Sequence, residues 1–231
     1  MNPNILRPEI VALVPMRHQS ERVPGKNYRE LASRPLYAYI ISALLDVPEI
    51  SQVVVDTDSP VITEGLTRIF PRVQVLARPE DLRGGDVPMN NILLYDTSVV
   101  EGDYYLQTHS TNPFLRAATI SKAIKAFLDS YPAHDSLFSV TPLQKRLWDG
   151  DIKPLNHDPT VLLRTQDLPP VYEENSCIYM FTRENLAARK NRLGERPMMF
   201  VMDASEALDI DDEMDFRLAE ALMASERPTS T

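Results

Sequence analysis

The chain predicts an α/β fold, a doubly wound and mostly parallel sheet with helices on both faces. Three observations carry this. Short β-branched or aromatic runs alternate with segments of helical period up to Val140. The first run, Ile10 to Val14, is apolar without interruption, as a strand covered on both faces must be. It then stops at Pro15 in an aperiodic stretch holding Arg17, Ser20, Arg22, Gly25 and Lys26. Cations and hydroxyls gathered at the carboxyl end of a first strand are placed where open parallel sheets receive phosphate groups.

The elements follow in order. Ile10 to Val14 opens the sheet. Pro35 to Val47 reads as a helix with proline in its first turn. Gln52 to Val55 is a β-branched strand that runs into Asp56, Thr57 and Asp58. Pro60 to Phe70 is helical, Val73 to Ala77 a strand and Asn90 to Val100 a helix. Tyr104 to Thr108 is a strand followed by a polar turn, His109 to Asn112. Ala117 to Ser130 is a helix and Ser136 to Val140 a strand. From Pro142 to Glu174 prolines are frequent and the period fades, which predicts an excursion from the core, a small antiparallel flap or an oligomer arm. Ser176 to Phe181 and Met198 to Met202 read as strands, with a helix over Glu184 to Lys190 between them. Asp212 to Ala224 is an amphipathic closing helix, and the polar tail, Ser225 to Thr231, is expected to fray. The organisation is a core over 8–141, an excursion over 142–174 and a return to the core over 175–224.

Composition bounds the function. The 231 residues, 43% of them hydrophobic, suffice for one sizeable core. A net charge of −9 argues against wholesale nucleic-acid binding, so an anionic ligand must meet a local basic cluster on an acidic body. Cys177 is the only cysteine, which excludes an intramolecular disulfide and fits a reducing, cytoplasmic setting. The segment MNPNILRPEI has no apolar core of a signal peptide, and no run approaches the ~20 apolar residues of a membrane span.

Four constellations carry chemistry. In the first loop, Arg17 and Lys26 suit phosphate oxygens, Ser20 offers a hydroxyl and Gly25 permits close backbone approach; the bland alternative is a solvated loop. Asp209 and Asp211 stand two apart, so in an extended segment both carboxylates face one side and suit Mg²⁺. Helix capping explains Asp212 and Glu213 equally well, but not Asp209, which precedes the helix. Arg164, Gln166, Tyr172 and Asn175 have the groups to bind a carboxylate and hydroxyls, although spacing alone favours a proline-stiffened polar loop. His109 to Pro113 follows a strand on the same sheet edge as Arg17; turn chemistry explains it as well. No histidine–cysteine pair has zinc-ligand spacing.

These pieces, in this order, resemble the cytidylyltransferases that activate acidic sugars, the acylneuraminate cytidylyltransferases or CMP-sialic acid synthetases. PMRHQSERVPGKN is similar to their signature loop, PARGGSKRIPGKN. The likeness continues through VVVDTDS, RPEDL, THSTNPF, RTQDLPPVYEENSCIYMF and ALDIDDEMDFRLAEAL, from Ile10 to Leu222. It implies a Rossmann-like nucleotidyltransferase fold, transfer of CMP from CTP to the anomeric hydroxyl of a keto-deoxy sugar acid, release of pyrophosphate, Mg²⁺ and a homodimer. By the resemblance, Arg17, Ser20, Arg22, Lys26 and Asn27 match nucleotide and triphosphate contacts, and Arg78 a position near the nucleoside. His109, Arg164, Gln166, Tyr172, Asn175 and Tyr179 match the sugar region, and Asp209 and Asp211 the metal carboxylates. Arg17, Lys26 and Asp211 are the catalytic candidates; no side chain is assignable as a general base.

The departures are specific. His18 and Gln19 replace two glycines, Glu21 replaces a lysine and is expected to point outward, His109 replaces a glutamine, and Ser176 replaces a glycine. They suggest an altered sugar. A nucleotide-sugar glycosyltransferase, which also uses an Asp-x-Asp pair, and a catalytically silent nucleotide-binding module are the rival readings.

Overall fold

The computed structural model describes residues 7–225. Residues 1–6 of the N-terminal segment and 226–231 of the tail lie outside the described residues. In chain order the elements are β1 (Ile10–Leu13), β2 (Glu30–Leu31), β3 (Arg34–Pro35), α1 (Tyr37–Leu45), β4 (Ile50–Thr57), α2 (Pro60–Ile69), β5 (Gln74–Ala77) and α3 (Met89–Val99). There follow β6 (Tyr104–Gln107), α4 (Ala117–Ser130), β7 (Ser136–Leu143), β8 (Val171–Phe181), α5 (Arg183–Arg189), β9 (Pro197–Val201) and α6 (Glu213–Ser225).

Seven strands form one sheet in the order β5-β4-β1-β6-β8-β7-β9. All run parallel except β8, which pairs antiparallel with both β6 and β7. The alternation within β1 shows why the sheet is wound on both faces. Ile10, Ala12 and Val14 enter one buried cluster with α1, α2 and α4. Val11 and Leu13 enter another with Leu93 of α3 and Leu186 of α5. The predicted α/β class and nearly every predicted element are therefore present.

Two differences have physical causes. The predicted helix at Pro35 begins at Tyr37, because Pro35 lies in a two-residue hairpin, β2–β3. Its turn residues, Ala32 and Ser33, take φ of 48° and 75° without the glycine or asparagine that normally marks such a turn. The second difference is β8, which starts at Val171, inside the predicted excursion, since 171–174 pair with 140–143. The register shifts near Phe138 and Val140, opposite Ser176, which sits at φ 57°. Between the two strands, 144–170 carry a single bridge, Trp148 with Pro154, and a 3-10 turn at Thr165–Asp167.

A third apolar cluster fixes the far end of the chain. Val23, Leu31, Leu36, Ile210, Phe216 and Ala219 bury one another, tying α6 to the hairpin and to the loop after β1.

Candidate active site

The strand order reverses at β1, with β4 on one side and β6 on the other. The crevice beyond their carboxyl ends is where a doubly wound sheet opens for a ligand. A cavity of about 470 Å³ lies there, and its walls include Arg17, Lys26, Arg78, His109, Arg192 and the pair Asp209 and Asp211.

The loop after β1 is pinned rather than slack. His18 donates its backbone N–H to Asp58 Oδ1 at 2.7 Å, its Nδ1 lies 2.8 Å from Ser59 Oγ, and its ring stacks on Tyr28 at 5.3 Å. The histidine that replaces a glycine thus gives the loop anchors in exchange for freedom. Gly25 is required where it stands: φ is 66°, and an added Cβ would meet the Tyr28 ring at 2.8 Å. Asn27 is buried and joins two loops, donating to the Arg17 carbonyl at 2.7 Å and accepting from Ser110 Oγ at 2.8 Å. Glu21 is exposed, but its carboxylate comes over the cavity-lining Gly85, where Arg17 Nη1 also reaches the backbone carbonyl at 3.4 Å.

The acidic pair is placed by the residue between its members. Ile210 is fully buried, a contact worth ~1.5–3 kcal/mol. Its backbone N–H donates to the Thr111 carbonyl at 2.9 Å. Alternation then turns Asp209 and Asp211 the other way, into the cavity. Asp209 Oδ1 is buried with no hydrogen-bond partner, and burial holds this carboxyl above its ordinary range. Asp211 meets Arg22 at 2.7 Å and Lys26 at 3.7 Å, while Lys26 Nζ donates to the Ile210 carbonyl at 2.6 Å. Burial pulls the Lys26 pKa down, against the pull of both aspartates. Capping of α6 falls to Asp212, whose Oδ1 accepts from the N–H groups of Met214 and Asp215. Two carboxylates at one wall, one with an orphaned oxygen, are a hard-oxygen donor set that fits Mg²⁺.

Arg78 lines the cavity with its guanidinium buried on the Asp56 carboxylate, their side chains 4% and 1% exposed. Asp96 of α3 completes the group. Neither of its oxygens nor Asp56 Oδ2 has a partner when both acids are ionised; one proton held between them pairs Asp56 Oδ2 with one Asp96 oxygen. Burial first, and the Asp56 charge second, push Asp96 up to about 8.

The expected sugar residues divide. His109 lines the cavity; its Nε2 lies 3.1 Å from Gln107 Nε2, which makes it the acceptor and leaves the proton on Nδ1. Burial and the neighbouring cations Arg192 and Lys26 push its pKa down to about 4, so the ring is neutral. Tyr179 is buried, with its hydroxyl on Glu174 and near Ser176 Oγ at 3.2 Å. Asn175 accepts from Ser139 Oγ at 2.5 Å and sits at the bulge beside the cavity-lining Ser176. Arg164, Gln166 and Tyr172 are exposed and are not among the cavity-lining residues; Arg164 instead holds Asp167 with two nitrogens, at 2.6 and 3.1 Å. Arg164, expected at the sugar, therefore does not line this cavity within a single chain. Sequence reading missed Gly85, Ser176 and above all Arg192. The glycine-to-serine departure at Ser176 was the one signal available.

A family model described as Cytidylyltransferase matches residues 11–227. The N-acylneuraminate cytidylyltransferase of Escherichia coli is 28% identical over 225 residues, covering 93% of this chain and 52% of that protein. This chain thus spans about half the length of that relative. The CMP-N,N'-diacetyllegionaminic acid synthase of Legionella pneumophila is 30% identical over 229 residues, covering 93% of this chain and 96% of that protein. Among solved structures, a CMP:2-keto-3-deoxy-manno-octonic acid synthetase complexed with CTP superposes with a TM-score of 0.69 at 18% identity, covering 94% of this chain and 99% of the other. That likeness speaks for the fold.

Proposed function

Because this chain belongs to the cytidylyltransferase family, we propose that it transfers CMP from CTP to the anomeric hydroxyl of an acidic keto-deoxy sugar and releases pyrophosphate. The observation that carries the reading is the meeting of Lys26 with the acidic pair: its ammonium bonds the carbonyl between Asp209 and Asp211 inside one cavity. A polyphosphate held there has cations on its oxygens and carboxylates beside it.

In the reaction, the sugar hydroxyl oxygen bonds to the α-phosphorus and its proton passes to solvent water. The bond from that phosphorus to the bridging oxygen breaks, and pyrophosphate leaves with the electron pair. Such transfers depend on positioning and charge stabilisation more than on covalent help. Arg17, Arg22 and Lys26 would neutralise the triphosphate and Ser20 would offer it a hydroxyl, with Asn27 holding the loop in place. Arg78 and the Gly84–Gly85 backbone would border the nucleoside. Asp209 and Asp211 would hold Mg²⁺, which supplies charge neutralisation at phosphate oxygens when bound. His109, neutral and protonated on Nδ1, is suited to donate a hydrogen bond and not to take a proton.

The test is incubation with CTP, Mg²⁺ and a panel of eight- and nine-carbon keto-deoxy acids. Pyrophosphate release with at least one acid is expected. Nucleotide-sugar hydrolysis without pyrophosphate would favour a glycosyltransferase, and CTP binding without turnover a silent module.

The partner proposed for the excursion is a second copy of this chain. Ile152 and Leu162 stand 80% and 90% exposed on it, and Trp148, 47% exposed, meets the His157 ring edge-on within the same segment. A partner's arm is also the route by which Arg164, Gln166 and Tyr172 would reach a cavity. Light scattering should give twice the chain mass of 26.2 kDa, and Leu162→Asp should give the monomer; a wild-type monomer at micromolar concentration removes this proposal.

A further inference from the structure

Five cations line the cavity: Arg17, Arg22, Lys26, Arg78 and Arg192. Arg22 and Lys26 face Asp211, and Arg78 faces Asp56. Arg17 belongs to the loop assigned to the triphosphate. Arg192 makes no direct ion pair among the described residues; the one carboxylate whose charge acts on it, Glu174, is taken up by the Tyr179 hydroxyl.

Its position is built, not accidental. The backbone N–H of Arg192 donates to Asn90 Oδ1 at 3.2 Å. One guanidinium nitrogen donates to Gln107 Oε1, and the guanidinium carbon stands 3.4 Å from the centre of the Tyr179 ring. Gln107 also holds His109, so the three side chains form one unit reaching from β6 to the segment after α5. An arginine laid flat on an aromatic ring, with an amide on one edge, keeps the remainder of its planar fork for an anion.

Chemistry says which anion. In a 2-keto-3-deoxy acid the carboxylate is bonded to the same carbon as the attacking hydroxyl. When that hydroxyl reaches the α-phosphorus, the carboxylate enters the same cavity with it and needs a cation there. His109 has Arg192, Lys26 and Asp211 as charged neighbours, so Arg192 belongs to that same cluster. Arg164 lies outside its own chain's cavity and is clamped on Asp167. Resting on the cytidylyltransferase reading, we propose that Arg192 receives the carboxylate of the sugar acid in this protein, with Ser176 and His109 beside it.

The experiment compares wild type, Arg192→Met, Arg192→Lys and Arg164→Ala in pyrophosphate release, with CTP binding by calorimetry as the check on folding. The acceptors are whichever panel acid the wild type uses, and its methyl ester. Arg192→Met should raise KM for the acid at least 50-fold while CTP binding stays within threefold. It should leave the ester unchanged, so the preference for acid over ester collapses. Arg192→Lys, which keeps the charge without the fork, should fall between. A merely structural role for Arg192 would depress acid and ester alike, and that outcome overturns the assignment. So does an Arg164→Ala variant that alone loses the acid preference. If the wild type releases pyrophosphate with no acid while binding CTP, the cytidylyltransferase reading itself fails, and this assignment goes with it. If Arg192→Met loses CTP binding, the Arg192→Lys acid-to-ester ratio decides: an unchanged ratio overturns the proposal and a reduced one supports it.

Discussion

Asp211→Ala is expected to lower CTP-dependent pyrophosphate release on the order of 1,000-fold, from the loss of ~4 kcal/mol of transition-state charge stabilisation. The fold should survive. The Asp211 side chain is half exposed and its pair with the exposed Arg22 is worth ~0–1 kcal/mol, while the largely buried Lys26 keeps its bond to the Ile210 carbonyl. The contact that orders this segment, the Asp211 N–H on Asp215 Oδ2 at 2.9 Å, is made by backbone and persists. Asp211→Asn separates two roles. An asparagine still accepts from Arg22 and Lys26 but is a poor ligand for a hard cation. If Asp211→Asn restored near-normal rates, the carboxylate would be a latch for the loop and the Mg²⁺ proposal would lose its footing. Pyrophosphate release across a Mg²⁺ titration, with circular dichroism as the fold check, reads both variants.

What could be read from the sequence divides along a physical line. The strands and helices were legible because periods of 2 and 3.6 are local properties. So was the acidic pair, because alternation about a single apolar residue, Ile210, decides which way both carboxylates face. The β2–β3 hairpin was not, since Ala32 and Ser33 adopt positive φ with no turn-marking residue. Nor was the start of β8: its outer half is exposed and polar, and only pairing with 140–143 makes it a strand. Arg192 had no local signal. It reaches Gln107, 85 positions away, only because β8 is inserted in reverse between β6 and β7. Arg164 is the converse: a motif matched it to an acidic ligand, but the arm's direction is a tertiary property that no motif encodes.

The buried triad at the nucleoside side carries the second large effect. Arg78→Met should destabilise the protein by ~3–5 kcal/mol, because it leaves the Asp56 carboxylate buried without its counter-ion. For a chain of this size that is a fall in Tm of roughly 6–20 °C. The charged neighbours at the site are Asp56, Asp58, Arg78 and Asp96. Low pH should relieve the deficit, since a protonated Asp56 has no charge to compensate. Asp96→Asn tests the shared proton from the other side. The folded protein keeps the Asp96 proton up to about pH 8, whereas an unfolded aspartic acid releases it near ~3.9. Stability from this proton is therefore complete below about pH 4 and is lost as pH rises to about 8. Asparagine supplies the same donor to Asp56 without titrating. The Tm of Asp96→Asn relative to wild type should thus climb from pH 5 to about pH 8 and level off above it, with the variant the more stable at the upper end. A difference that stays flat across that interval would mean the two carboxyls share no proton, and that Asp96 is ionised in the folded protein like any surface acid.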